Sequence, residues 1–414
     1  MNITLYTHYF HPEIGAPSAR MYDLSRQWIN RGHSVQAVTC FPNHPGGKIY
    51  PGYAKNKYYH EIIDRIHVHR HWTYITPNEG VLKKALGHIS YLPSALLISN
   101  RNIDKPDIVV GTSPTLFAAQ AASITGSRKR IPFIMEVRDL WPAIFVELGI
   151  ITNKYLIRAL ERWEMRLYRK AAAIVTVTEA FRKNIIDRGI PSEKVFTIPN
   201  GADVDYWSPV EDTNELRNKL NVKDKFVVLY IGAHGISHAL RKIIDSAEKL
   251  KDNENIQFLF VGDGAEKKQL MEYANSKSLG NIRFHEPVDK NTVKKFYSLA
   301  DVCLVPLRNI SLFNTFIPSK MFEIMAMEKP IIGSVRGESA DILDKSNAAL
   351  VVEPENCTEI AKAVRYLYEN KSIGEEMGKN GREYVTNHYS RSALAERYMT
   401  VLTEAQKRYH KEYT

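Results

Sequence analysis

The stretch Pro318-Ser319-Lys320-Met321-Phe322-Glu323-Ile324-Met325-Ala326-Met327-Glu328-Lys329-Pro330 decides how this chain is read. A polar loop, Arg308 to Thr315, precedes it, and Lys329-Pro330 stops it before a new strand at Ile331-Ile332-Gly333. The spacing between them predicts a short helix, with Met321, Ile324 and Met325 turned inward. Ser319 suits its N-cap, where a hydroxyl accepts from a free backbone N–H. The first turn of a helix offers unpaired N–H groups and partial positive charge, a natural place for an anion. Lys320 adds a full charge there. Glu323 stands one turn further in, where a carboxylate accepts from sugar hydroxyls beside a bound phosphate. One helix thus offers places for a diphosphate and a ribose. The competing reading is a capped surface helix whose Lys320 and Glu323 are merely solvated.

Outward from this helix, the second half repeats a strand–loop–helix rhythm. Lys225 to Gly232 reads as a strand ending in Gly232-Ala233-His234-Gly235. Asn255 to Val261 is another, closed by Gly262-Asp263-Gly264. Asn281 to Pro287 and Val302 to Pro306 follow, and Ser346 to Val352 closes the sheet. A final helix from Ser390 has room to pack back on the first half. Gly-rich turns between strand and helix let a ligand approach the backbone.

The first half has the same rhythm. Ile3 to Thr7 is a buried strand, followed by a loop with Gly15 at a helix start; the helix ends at Gly32. Gly15 stands without a full G-x-G-x-x-G, so by itself it reads as a tight turn. The stretch 132–142 reads as a strand that runs into charge, with Glu136, Arg138 and Asp139 at or near its C-terminal end, where open parallel sheets bind ligands. An acid and a base there could meet a substrate, or form a structural pair. His67, His69 and His71 alternate onto one strand face; zinc is the sharper reading and a half-wet strand the better one. Residues 80–100 carry an apolar stripe, Val81, Leu82, Ala85, Leu86 and Ile89, beside Lys83, Lys84 and His88, broken at Tyr91-Leu92-Pro93. Such a segment suits a membrane interface or an ordinary core-facing helix. Asp203-Val204-Asp205 imitates a metal motif but follows an Asn200-Gly201 turn, and 208–221 reads as a linker.

The fold class expected is α/β, with two doubly wound Rossmann-like domains facing across a cleft. The domains fall at 1–205 and 206–388, with 389–414 a helix returning to the first. The 414 residues suffice for two domains, and 44% apolar residues give each a core. The net charge of +10 favours an anionic partner. Cys40, Cys303 and Cys357 are too few and too far apart for a disulfide framework, which suits a reducing cytoplasm. The chain opens directly as a strand, so no secretory leader is expected, and no apolar run approaches the roughly 20 residues of a spanning helix.

The order of these pieces resembles the GT-B glycosyltransferases, specifically the retaining GT4 family, over nearly the whole chain. Val261-Gly262-Asp263-Gly264, Tyr297-Ser298-Leu299-Ala300-Asp301-Val302 and the Glu323 helix carry it in the second half. The Gly15 loop, Gly32-His33, Arg138-Asp139-Leu140-Trp141-Pro142 and Ile198-Pro199-Asn200-Gly201-Ala202-Asp203 carry it in the first. Pro318-Ser319-Lys320 and Glu136 to Pro142 look most like the bacterial O-antigen and capsule branch, including WbuB-like transferases of L-N-acetylfucosamine. The chain departs from the family at four places. Thr315 stands where a Glu often precedes the ribose-binding Glu by eight residues, Ala233 and His238 replace the usual diphosphate cations, and Arg138 replaces a His.

The resemblance implies metal-independent transfer, with retention, from a UDP-sugar donor to a polyprenyl-diphosphate-linked sugar acceptor. No cofactor is expected beyond the donor substrate. Ser319, Lys320, Glu323, Gly232, His238, Gly262, Gly264, Thr315 and Gly15 would bind the donor, with His285 and Pro287 beside its base. Lys320, helped by Arg241 or Arg308, would stand in for the missing cations, and Asp139, Arg138 and Lys320 would act in catalysis. Loss of the usual His suits a 6-deoxy sugar. The protein would sit on the cytoplasmic side of an anionic membrane surface through the Val81–Ile98 stripe. One rival is a UDP-N-acetylglucosamine 2-epimerase of the same architecture, acting without an acceptor. The other is a nucleic-acid-binding protein, but the basic residues are scattered and no binding motif is present.

Overall fold

The computed structural model describes residues 1–413 apart from 14, 45, 54–56, 77–80 and 148. It divides into two compact units, Met1–Pro199 with the chain from Arg391 onward, and Asn200–Ser390.

The first unit is built on β1 (Asn2–Tyr6), β2 (Ser34–Cys40), β3 (Tyr58–Ile63), β4 (Ile66–His71), β5 (Ile108–Thr112), β6 (Phe133–Val137), β7 (Ala173–Thr176) and β8 (Val195–Thr197). Their order is β3-β4-β2-β1-β5-β6-β7-β8, and every described pairing is parallel except that of β3 with β4. β1, β5 and β6 are buried throughout or nearly so, as strands covered on both faces must be. The antiparallel β3 escapes a sequence reading because its residues are mostly wet and lack an apolar run. The helix Arg391–Tyr413 closes this core: Leu394, Ala395, Tyr398 and Leu402 pack with Met21 and Trp28, and the Trp28 indole donates to the Ala395 carbonyl at 3.3 Å.

The second unit carries β9 (Phe226–Ile231), β10 (Ile256–Val261), β11 (Ile282–His285), β12 (Val302–Pro306), β13 (Ile331–Ser334) and β14 (Ala349–Val352), ordered β11-β10-β9-β12-β13-β14 and all parallel. Both units are thus doubly wound, as expected. The stretch read as a linker belongs instead to this unit. Within 208–221, Leu216 and Leu220 pack against its core, the Val210 N–H donates to Ser298 Oγ at 2.8 Å, and Asn214–Lys219 is helical. Trp207, immediately before the stretch, is buried in the same core.

The segment read as a broken stripe is one continuous helix, Val81–Arg101, running through Pro93. Proline has no N–H to give, so the Ile89 carbonyl loses its helical donor at a site open to water. Tyr91 and Ala95 face the core, while Leu86, Ile89 and Leu97 are 53%, 48% and 61% exposed. Gly80 and the side chains of Val81, Leu82 and Lys84 lie outside the described residues.

Candidate active site

In the second unit, the C-terminal ends of β9 and β10 meet in two glycine turns. The Gly232 N–H donates to the Val261 carbonyl at 2.9 Å and the Gly262 N–H to the His285 carbonyl at 3.2 Å. Gly232 and Gly262 hold φ of 141° and 136°, where a side chain is strained. A Cβ on Gly232 would stand 2.6 Å from the Lys320 ammonium, and one on Gly264 would strike the His234 carbonyl. The bare backbone is what lets Lys320 reach the strand end.

The helix quoted at the outset spans Lys320–Ala326. Ser319 holds the N-cap position but in helical backbone, φ −59° and ψ −28°, and its hydroxyl makes no cap bond. A side-chain cap needs extended backbone at that residue. Tight turns close the start instead: Met321 N–H donates to Pro318 O at 3.0 Å and Phe322 N–H to Ser319 O at 3.2 Å. Lys320 Nζ donates to the Ile231 carbonyl at 2.9 Å and lies 4.2 Å from the Tyr230 ring centre. Burial pulls its ammonium down to about 8, against the pull of Glu323. Burial pushes the Glu323 carboxyl up to about 7, against Lys290, Lys320 and a bond from the Tyr297 hydroxyl. Lys290 lies over the Tyr206 ring at 4.3 Å, and the Tyr206 hydroxyl donates to Asn291 at 2.7 Å.

The neighbouring positions divide. His238 lies beside Tyr230 and donates from Nδ1 to the Pro306 carbonyl at 3.3 Å. Burial, then Lys320, holds its imidazole down at about 3, so it stays neutral and brings no cation to the site. Thr315 gives its hydroxyl to the Leu312 carbonyl at 2.6 Å, within the turn Ser311–Thr315. His285, at the end of β11, packs 5.2 Å from the Phe296 ring and donates from Nδ1 to Glu286 O at 2.8 Å; Pro287 follows, exposed. Arg241 and Arg308 do not stand with Lys320. Arg241 lies over Tyr273 at 4.0 Å and Arg308 faces Glu355 at 3.7 Å, in a cavity that Lys320 does not line.

A sequence reading missed His234. Its ring is fully buried among Tyr230, Phe260 and Phe284, with neither nitrogen partnered, and burial holds it near 4. Its place between two glycine turns was the available signal.

In the first unit, Gly15 has φ 145° and precedes the helix Ala16–Asn30. At the end of β6, Glu136 is completely buried. It accepts from Arg20 Nε and from the Tyr398 hydroxyl, both at 2.9 Å, while Arg20 also donates to the Ile198 and Pro199 carbonyls at 2.8 Å. Glu136 is therefore structural, tying the last helix to the sheet. Arg138 is buried, its Nε 3.9 Å from Glu136, and its backbone N–H donates to Ser113 Oγ at 2.7 Å. Asp139 is half-buried, and burial pushes it up to about 6. His69 bonds the Tyr58 hydroxyl, and His71 packs on Tyr91. Among the described residues no three His, Cys, Asp or Glu side chains are arranged to hold a metal ion.

Two family models match the chain, "Glycosyl transferase 4-like domain" over residues 15–201 and "Glycosyl transferases group 1" over residues 212–384. The chain is similar to a putative colanic acid biosynthesis glycosyl transferase, WcaI, of Escherichia coli: 24% identical, over 88% of this chain and 91% of the relative. It is also similar to a probable glycosyltransferase, WbjE, of Pseudomonas aeruginosa: 24% identical, over 70% and 73%. Among solved structures, Anabaena HepE in complex with UDP and glucose superposes with a TM-score of 0.73 at 15% identity, covering 98% of this chain and all of that one.

Proposed function

We propose the reaction from one premise: the chain belongs to the GT4-type glycosyltransferases, with the GT-B fold. It transfers a sugar, with retention and without a metal, from a UDP-sugar to a lipid-diphosphate-linked sugar during assembly of a cell-surface polysaccharide. The polysaccharide reading draws on WcaI, named for colanic acid biosynthesis, and the UDP reading on HepE, held with UDP and glucose.

The observation that carries the proposal is the placement of Lys320 and Glu323 one turn apart beside the glycine turns, each shifted towards its neutral form by burial. A diphosphate and a ribose would relieve both. Glu323 accepts from the ribose hydroxyls. Lys320 meets the diphosphate, with the Gly232 and Gly264 turns leaving room for it, and His285 and Pro287 border the base. As the glycosidic bond breaks, negative charge grows on the departing UDP, and a fixed ammonium stabilises it where it develops. Attack from the same face lets the departing phosphate accept the acceptor's proton. In the first unit, Asp139 and Arg138 orient acceptor hydroxyls. A 6-deoxy donor such as N-acetyl-L-fucosamine accords with Arg138 in place of the family's His. The outer stripe of Leu86, Ile89 and Leu97 rests on the membrane that holds the lipid acceptor.

The test is a panel of UDP-sugars scored by UDP release against a polyprenyl-diphosphate sugar. Turnover that needs the acceptor and survives a chelator is expected. Epimer formed from UDP-N-acetylglucosamine alone would decide for the rival.

A further inference from the structure

The helix Lys154–Lys170 of the first unit begins with a firm cap: Asn153 Oδ1 accepts from the Tyr155 and Leu156 N–H groups at 2.9 and 3.1 Å. One side of it is committed inward. Met165, Leu167 and Tyr168 are buried, Glu164 takes Arg188, and the Trp163 indole donates to Gln120 at 2.7 Å. The other side is committed to nothing in the described protein. Lys154, Arg158, Arg162 and Arg166 recur every four residues, so each neighbours the next along the helix surface, and all four are exposed. Among the described residues none of them lies within 4.0 Å of a carboxylate. Arg169 and Lys170 extend the charge, and Glu161 is the one exposed acid of the helix.

Such a row repels itself, so its lowest energy lies against an extended anionic surface. From Lys154 to Arg166 it runs about 18 Å at 1.5 Å per residue, longer than the Debye length of about 8 Å in physiological salt. A single phosphate cannot answer it. At the row's N-terminal end Tyr155 is 81% exposed, Leu156 48% and Ile150 44%. Exposed aromatic and aliphatic groups beside cations suit the headgroup layer of a bilayer and have no use on a duplex backbone. The helix Leu116–Lys129 packs against both this helix and Val81–Arg101, so the helix that bears the cations and the one that bears the exposed Leu86, Ile89 and Leu97 lie on the same side of the sheet.

We infer that the outer face of Lys154–Lys170 is an electrostatic docking surface for anionic phospholipid, acting beside the apolar stripe. This rests on the membrane-resting part of the function proposed above and adds to it where the charge is read. Each cation near an anionic leaflet strengthens binding about fivefold.

The test is sedimentation of the full chain with vesicles of equimolar phosphatidylglycerol and phosphatidylcholine, and with phosphatidylcholine alone. The wild type is expected to pellet with the anionic vesicles and to be released by salt. The combined K154Q, R158Q, R162Q and R166Q variant should bind them about 100-fold more weakly or worse, with far-UV spectrum and melting temperature unchanged. Should that variant fold poorly, R158Q with R162Q alone gives the same direction, about 25-fold weaker, and R158K with R162K keeps binding because a headgroup needs only a point charge. Wild type that pellets while the glutamine variants pellet equally well overturns the inference and leaves the membrane reading standing. Wild type that pellets with neither vesicle removes the membrane reading itself. RNA retained by the wild type and lost by the variants, without vesicle binding, overturns the inference in favour of nucleic acid.

Discussion

Replacing Lys320 by methionine separates what this residue does for stability from what it does for turnover. The ammonium is brought from an ordinary value of 10.5 down to about 8 by burial. That lowering corresponds to about 3 kcal/mol withheld from the folded, charged form. The sign is that of a lowered pKa: the stability is present above the unfolded value and lost as pH falls through about 8, so at pH 7.5 nearly all of it is missing. Methionine keeps the aliphatic stem against Tyr230 but leaves the Ile231 carbonyl without its donor, a loss of about 1 kcal/mol. The net expectation is a gain of about 1–2 kcal/mol, or about 2–8 °C in the melting of the second unit. Turnover should move the other way. In the role proposed for it, one charged donor at the leaving group is worth about 100- to 1,000-fold in kcat. Differential scanning fluorimetry at pH 7.5 reads the first quantity and UDP release the second. A Lys320→Met protein that turns over within threefold of wild type, or melts lower, would refute the reasoning.

Two further outcomes follow from the charged groups. Glu323 is raised to about 7, so the free protein holds its proton more tightly than the unfolded chain does, and that stabilisation is lost as pH rises through 7. A ribose that needs the carboxylate should bind about tenfold more weakly at pH 6 than at pH 7.5, measured calorimetrically with a UDP-sugar, whose diphosphate does not titrate there; Glu323→Gln should bind weakly at both. An equal slope in the glutamine variant would place the proton elsewhere. Glu136→Gln strips the charge that answers the buried Arg20, and breaking such a pair costs about 3 kcal/mol or more. Thermal unfolding should show it, and a Tyr398→Phe change on top should add less than it does alone, because both act on one carboxylate. Additive effects would count against a shared network.

What the sequence discloses depends on how locally a feature is determined. The buried strands β1, β5, β9 and β10 announce themselves as apolar runs, and Gly232, Gly262 and Gly264 as the breaks after them. Lys320 and Glu323 are legible because a helix fixes their mutual position within one turn. Ser319 misleads: the residue type suits a cap, yet the backbone angle decides, and that angle is set by the turn at Pro318. Glu136 misleads for the opposite reason. Its partner Tyr398 lies 262 residues away, and no local pattern marks a carboxylate as already taken. Arg241 and Arg308 bear the charge that the proposed diphosphate would call for, but Tyr273 and Glu355 draw them to another cavity.

The return of Arg391–Tyr413 to the sheet that starts at Asn2 has a consequence during synthesis. A ribosome finishes Asn200–Ser390 while the earlier unit still waits for Tyr398 to answer its buried Glu136. The lobe translated first is the one completed last, and a nascent chain stopped near residue 390 would carry a finished rear half behind an open front.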